Sequence, residues 1–465
     1  MTERKVWRMP HGFLIIGSIL VFVTVLTWLI PAGEFERVLD EATGRNIVIP
    51  TSFHFVEANP VSPFRMFASI LAGLVDAADV IFFTMISYGY MCMLIHVGAF
   101  DSGIGSLIRV MGKQDRLLLP ILIWIFALMG ASFGMYEEAY GFIPVVMGIS
   151  LALGYDALLG AVVVMGSVGI GFAAAFVNPY TTAIAQGIAE LPLFSGLWFR
   201  VLCFFVFVTV YTIFCMNYAH KIKKDPSKSF VYGDDFSHLM TTTKEELIQK
   251  RMSKKDTLSL LIFVGSIVTF VLGSIYKGWY FEEISAVFLI SMLLIGIVNG
   301  LSLSETCSAV VNIYKEIVYA CLVIGIARAL IIVMREGKII DSVCYYLANA
   351  ILGAHKMLAA MGMVIIQNLI NFFIPSGSGQ AATSMPIMTP IADIIGLNRQ
   401  IAVVAFQFGD GFSNLFWPTQ AAVDCAIAGC SLSKWYKFFA PLFVILLGLQ
   451  FLLIAFAVFI NLGPF

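Results

Sequence analysis

Nine segments of this sequence stay predominantly apolar for about the 20 residues that a helix needs to cross a bilayer. They lie near 13–31, 76–97, 157–178, 198–219, 257–276, 284–300, 315–334, 399–423 and 438–462. In hydrocarbon only helices and closed barrels satisfy every backbone polar group internally, and runs of this length suit helices. The 465 residues are 60% hydrophobic and 12% charged, where soluble domains carry about 25% charged residues. An all-α polytopic membrane protein follows. The first run comes after Arg4, Lys5 and Arg8, as a signal sequence would. It is too long for a signal core and leads to no small-residue cleavage site, so it reads as a retained first helix.

Two further apolar stretches, 117–155 and 356–396, are broken midway by polar tips, "SFGMYEEAYG" and "IPSGSGQAATS". Each reads as a re-entrant hairpin, because non-helical backbone at membrane depth persists only inside protein or beside a watery cavity. The first tip holds Glu137 and Glu138, and a carboxylate at the bilayer centre costs about 3 kcal/mol. A carboxylate there could coordinate Na⁺, carry a proton or pair with a cationic substrate amine. The alternative is a pair of acids in water, with 117–132 an ordinary crossing; that would disturb the charge-based orientation of the central loop.

That orientation comes from two hydrophilic connectors. Loop 220–256 carries Lys221, Lys223, Lys224, Lys228, Lys244, Lys250, Arg251, Lys254 and Lys255, whereas loop 32–63 has Arg37 and Arg45 against five acids. By the positive-inside rule the amino terminus and the central loop are cytoplasmic and 32–63 is external. Nine crossings then put the carboxyl terminus outside, and Arg335, Lys338 and Lys356 fall on the side the rule disfavours. A net charge of −1 offers no basic field for nucleic acid. The eight cysteines form no CxxC and the six histidines are dispersed, so neither redox chemistry nor a structural metal is expected.

An internal repeat orders these pieces. Asp101-Ser102 superposes on Asp341-Ser342, the tip "GMYEEA" on "SGSGQA", Pro144 on Pro386, Gly154 on Gly396, and "NPYTTAIA" (178–185) on "WPTQAAVD" (417–424). These landmarks keep one order at offsets between 239 and 242. Nine crossings make corresponding helices run in opposite directions, so two inverted repeats are expected: 1–219 with hairpin one, and 257–465 with hairpin two, joined by the linker 220–256. Inverted repeats with breaks at matching places place a transporter's site at the midplane.

The expected site residues come from the tips and from the interrupted segment after each hairpin. Gly377 and Gly379 let backbone approach a ligand. Ser376, Ser378 and Gln380 offer neutral donors and acceptors, and a half-helix starting near Gln380 would turn its positive end toward an anion. Glu137 and Glu138 match Gly379 and Gln380 in the repeat. Asn178 and Thr181 surround Pro179 in the first interrupted crossing; in the second, Gly409 and Gly411 flank Asp410, as in an unwound segment, with Asn414, Pro418 and Thr419 beyond. Proline frees a carbonyl, and with these side-chain oxygens a monovalent cation could be coordinated at Glu138, Asp410 and Asn414. Arg328 is expected to pair with an acid such as Glu316, with a lipid headgroup or with substrate. Gln367, Asn368 and Asn371 suit helix-to-helix hydrogen bonds or ligand contact.

The stretches "RMPHGFLIIGSILVFVTVLTWLIPAGEFERV", "GIARALIIVMREGKIIDS", "NFFIPSGSGQAATSMPIMTPIAD" and "QFGDGFSNLFWPT" together resemble the YfcC-type branch of the anaerobic dicarboxylate carrier family, within the ion transporter superfamily. The likeness covers nearly the whole chain. It implies nine crossings with two hairpins, a homodimer in the bacterial inner membrane, elevator-like movement, and secondary transport of dicarboxylates or, in arginine–ornithine exchangers, of amino acids. Sodium-coupled relatives carry Ser-Asn-Thr at each tip, which these tips lack, so their sodium sites are not transferred. Na⁺ or H⁺ coupling stays open and no cofactor is expected.

The leading expectation is therefore a secondary transporter of an amino acid, possessing basic character if the acids meet an amine. A proton- or sodium-coupled dicarboxylate carrier of the succinate or fumarate type is the alternative. An enzyme is disfavoured: "FGDGF" lacks the first glycine of Gly-x-Gly-Asp, and neither Gly-x-Ser-x-Gly nor HExxH occurs. A pore is disfavoured because no filter-like carbonyl ring repeats.

Overall fold

The computed structural model describes residues 12–40, 45–49, 51–111, 116–132, 134–236, 239 and 249–463. Among these, six helices are long and apolar enough to cross a membrane. Five coincide with expected crossings: Ala78–His96, Leu197–Lys224, Phe281–Asn299, Leu303–Glu336 and Leu432–Phe459. The sixth, Lys356–Phe373, forms the first arm of 356–396 and is long enough to cross on length and composition. Gly12–Leu29 and Lys254–Lys277 fill two more of the expected positions. The remaining two expected crossings, 157–178 and 399–423, are not continuous helices.

The first runs as Ala157–Ala173, leaves helical geometry at 174–178, and resumes as a π-turn Pro179–Ala183 and the helix Ile184–Ile188. Pro179 cannot donate to the preceding turn, so the break falls before it. The second runs as Arg399–Asp410, a 3₁₀ turn Phe412–Leu415, and the helix Pro418–Ile427. Gly411, at φ −58° and ψ −90°, is where the helix leaves its path. The segment is thus unwound after Asp410, not around it. A side chain at Gly411 would lie 2.2 Å from the Cα of Ala173, so glycine lets the two interrupted segments touch.

The order of elements recurs. Ala99–Met111, Leu118–Ser132 and Phe142–Ala152 precede the first interrupted segment, and Ile340–Asn349, Lys356–Phe373 and Gly377–Ile395 precede the second. Stretch 117–155 is two helices joined by a 3₁₀ turn, Glu137–Gly141. In 356–396 the second arm begins at Gly377, with Ser376 as its N-cap, three residues earlier than the sequence suggested. Gly154 and Gly396 end the two second arms at φ +78° and +75°, the left-handed geometry that glycine adopts freely. All 17 residues of Ala157–Ala173 are buried. A helix apolar on every side belongs in the interior, and this one packs against Leu118–Ser132, Phe142–Ala152 and Leu197–Lys224.

The connector 32–63 is not featureless, and it adds β-structure to the expected all-α fold. Gly33–Glu34 pairs antiparallel with His54–Phe55, and Arg37–Asp40 with Arg45–Val48. Backbone groups outside a helix need partners, and two short ladders supply them. Arg37 reaches Asp341 at 2.6 Å and Lys338 reaches Glu34 at 3.2 Å. Lys338, which the charge rule disfavours on the side of the acidic loop, is therefore drawn there by that loop's own carboxylate. Of the linker 220–256, residues 237, 238 and 240–248 lie outside the described residues; the helix before it extends to Lys224 and the helix after it starts at Lys254.

Candidate functional site

A cavity of about 610 Å³ opens where both tips and both interrupted segments converge. Nine of the twelve expected residues line it: Glu137 and Glu138; Thr181; Ser376, Gly377 and Ser378; and Asp410, Asn414 and Thr419. Its size suits a small metabolite, since ligand sites run from about 300 to 1,000 Å³.

The other three support the wall without reaching the space. Asn178 caps its helix turn: Oδ1 accepts from the backbone N–H of Tyr180 at 2.9 Å and of Thr181 at 3.2 Å, while Nδ2 donates to the Gly130 carbonyl at 3.2 Å. Gln380 donates to the Gln367 carbonyl and side chain at 2.9 and 2.8 Å and accepts from Asn371 at 3.1 Å. Gly379 donates its N–H to Ser376 Oγ. Gln367 and Asn371 hold this network together and are absent from the wall, so their hydrogen bonds run between helices.

Asp410 joins the network to the cavity. Asn371 Nδ2 donates to Asp410 Oδ1 at 3.0 Å, and Asn414 Nδ2 donates to the Asp410 carbonyl at 2.9 Å. Asp410 is 0% exposed, and Oδ2 has no hydrogen-bond partner. A Cβ on Gly377 would stand 2.9 Å from Oδ2 and 2.4 Å from Thr181 Cγ2, so only glycine lets the helix start approach this carboxylate. The positive end of Gly377–Ile395 thus already faces an acid of the chain itself.

Sequence reasoning missed several wall residues. Asp76 and Asp79 lie at the mouth, where the chain breaks at Ala77 between Pro63–Asp76 and Ala78–His96. Read as the start of one crossing, they carried no signal. Arg328 forms a salt bridge with Asp76, not with Glu316; Glu316 accepts a long hydrogen bond from Tyr88 OH, 3.4 Å. Tyr136, Tyr140, Tyr180 and Tyr280 add aromatic faces, the last two with ring centroids 5.9 Å apart. Aromatics distant in sequence give no periodic signal.

The charge balance of the wall is lopsided. Its described residues include five acids (Asp76, Asp79, Glu137, Glu138 and Asp410) and one base, Arg328, which Asp76 already engages. Carboxylates and aromatic faces are what an ammonium or guanidinium group seeks. A doubly negative solute would meet like charge from most directions.

Comparison with known proteins places this geometry in a family context. The sequence profile of the C4-dicarboxylate anaerobic carriers, DcuC, matches residues 9–459. Escherichia coli YfcC, which carries the provisional name of a basic amino acid antiporter, is 30% identical over 97% of each chain. Two solved structures align along the chain at low TM-score. Neisseria gonorrhoeae MtrF, described within a class of antimetabolite efflux pumps, has a TM-score of 0.43 at 17% identity, covering 97% of this chain and 96% of its own. The Alcanivorax borkumensis YdaH transporter gives 0.42 at 13%, covering 97% and 98%.

Proposed function

The chain belongs to the C4-dicarboxylate anaerobic carrier family, and on that premise we propose that it carries a basic amino acid across the membrane by alternating access, exchanging one such solute for another. Membership makes it a multi-pass secondary transporter and not an enzyme. The preference for a cationic amino acid rests on one observation, the five carboxylates against a single paired guanidinium around the cavity. The name given to YfcC points the same way.

In this reading the substrate's amine or guanidine meets Glu137 and Glu138, and its carboxylate meets the side chain of Arg328 or the polar tip at Ser376 and Ser378. The recurring order of elements supports two inverted halves whose tips enter from opposite faces, with 32–63 external and the amino terminus cytoplasmic. A dimer with elevator-like movement is part of the same proposal.

The test is a thermal-shift screen of the purified protein against L-arginine, L-ornithine, L-lysine, neutral amino acids, succinate and fumarate, each with and without Na⁺. A ligand that binds the folded form raises its apparent stability by mass action. Basic amino acids should shift the midpoint and then exchange in proteoliposomes. Stabilisation and counterflow by succinate or fumarate alone would establish the second reading, a dicarboxylate carrier. That reading draws on the helix start at Gly377 and on the family's description.

A further inference from the structure

Asp424 is a fully buried acid, 0% exposed, that is absent from the cavity wall. Among the described residues neither of its carboxylate oxygens has a partner in full hydrogen-bond geometry, and the amide of Gln420, one turn earlier, is the donor that acts on it. Burying an unpaired charge is strongly unfavourable, and an ionisable group kept inside a membrane protein without a partner calls for a role.

Its position supplies one. Asp424 lies on the helix Pro418–Ile427, whose Thr419, Gln420 and Val423 line the cavity. Gln420 stands one turn before Asp424, the spacing that puts two side chains on one helix face. Gln420 Nε2 donates to Tyr140 OH at 2.6 Å, and Tyr140 is itself a wall residue. Tyr136 OH, also at the wall, is buried with no partner. The unpartnered hydroxyl of Tyr136 and the unpartnered carboxylate of Asp424 interact electrostatically, and Tyr136, Tyr140 and Gln420 of the wall are the side chains that connect Asp424 to the cavity.

The titratable neighbours are few. Tyr136, Tyr140 and Glu137 of the first tip interact electrostatically with Asp424. Helix Leu303–Glu336, packed against Pro418–Ile427, carries Tyr319, which interacts with Cys425, and Arg328, which is held by Asp76. Cys425 and Cys430 follow in the chain, Tyr436 stands on the next helix, and Gly12–Leu29, which also packs here, has no titratable side chain. Among the described residues no basic side chain is hydrogen-bonded to Asp424. The matching position in the first half is Ala185, so this acid belongs to one half alone.

We propose that Asp424 is a proton-binding site that couples substrate movement to a proton gradient, its proton leaving as a cationic amine enters the cavity. This rests on the reading that the solute is a basic amino acid. Two positive charges need not be held side by side: the amine's charge replaces the proton's, and the exchange of one proton for one monovalent cation is electroneutral. The site deepens that reading by giving the carrier a source of energy other than a second solute.

Two measurements on the full chain test it. In weakly buffered detergent solution with a pH-indicator dye, saturating L-arginine should release close to one proton per bound arginine from the wild type. Asp424→Asn should still show an arginine thermal shift but release none, and Asp424→Glu should restore release. In proteoliposomes an inside-acid gradient of one pH unit should concentrate arginine about tenfold in the wild type. Asp424→Asn should fall to the level without a gradient while counterflow at equal pH stays within about twofold. Release or gradient-driven accumulation unchanged in Asp424→Asn overturns the proposal, as does a wild type that binds arginine and releases no proton. Absence of any arginine, ornithine or lysine thermal shift in the wild type is a different failure: it overturns the substrate assignment and this site with it.

Discussion

The side-chain amide of Asn371 donates to Asp410 Oδ1 at 3.0 Å, while Asp410 Oδ2 lies buried without a partner against Gly377. One oxygen fixes the carboxylate and the other is held free beside the cavity. The close approach of the Gly377 backbone and Thr181 keeps it there.

That contact makes Gly377→Ala a sensitive probe. The added methyl would meet Thr181 Cγ2 at 2.4 Å and Asp410 Oδ2 at 2.9 Å. Overpacking of this kind costs about 1–3 kcal/mol, so the apparent thermal midpoint in detergent should drop and substrate counterflow should collapse. Gly379→Ala meets Ser376 Oγ at 3.2 Å, Ser376 Cβ at 3.4 Å and Ile374 Cγ2 at 3.6 Å, close to ordinary van der Waals contact, and should lower the midpoint far less. Equal behaviour of the two variants would contradict the geometry.

Glu138 is buried, and its Oε2 accepts from the Tyr136 backbone N–H at 3.1 Å. Glu138→Gln keeps the shape and removes the charge. A hydrogen bond to a charged group is worth about 1.5–3 kcal/mol, so arginine counterflow should fall by roughly 10- to 150-fold with the protein still folded. Unchanged uptake would remove Glu138 from the site.

Tyr280 faces Tyr180 across the wall with ring centroids 5.9 Å apart and stacks on Phe281 at 4.0 Å. A cation held over such a face gains about 0.5–2 kcal/mol. Tyr280→Leu should raise the arginine KM roughly two- to thirty-fold, and Tyr280→Phe should leave it near the wild-type value. A loss with Phe as large as with Leu would assign the effect to the hydroxyl.

The inverted arrangement is open to cysteine labelling. Cys307 is the exposed one among the native cysteines and should be replaced first. Glu137→Cys and Ser378→Cys should then react with a membrane-impermeant maleimide in a substrate-dependent way, since both line the cavity. Constant reaction of both from one face, insensitive to substrate, would rule out tips that meet within the membrane.

Much of the cavity wall was legible because polarity inside apolar runs is conspicuous. Glu137, Glu138, Asp410 and the glycines of the second tip stand out against their surroundings, and all but Gly379 reach the wall. Gly379 and Gln380 do not line the cavity, because the helix begins at Gly377 and turns them toward the supporting network. Asp76 and Asp79 were invisible for another reason: nothing in "LVDAADVIFF" announces the bend at Ala77 that brings both acids to the mouth. Tyr180 and Tyr280 come from segments 100 residues apart, and only the folded chain unites them. The interrupted helices were foreseen at Pro179, whose missing N–H forces a break, and around Gly409 and Gly411, where the structure puts the departure at Gly411; the ladders of 32–63 were not, because four strands of two to four residues are too short to show a pattern.

The helix Ala157–Ala173 touches neighbours around its full circumference. A rod enclosed in this way has no lipid-facing side along which to slide, so it travels only with what surrounds it. In the movement proposed above, Leu118–Ser132, Phe142–Ala152, Leu197–Lys224 and this rod would travel as one piece, and the gliding surface would lie farther out, where Phe142–Ala152 packs against Ala78–His96.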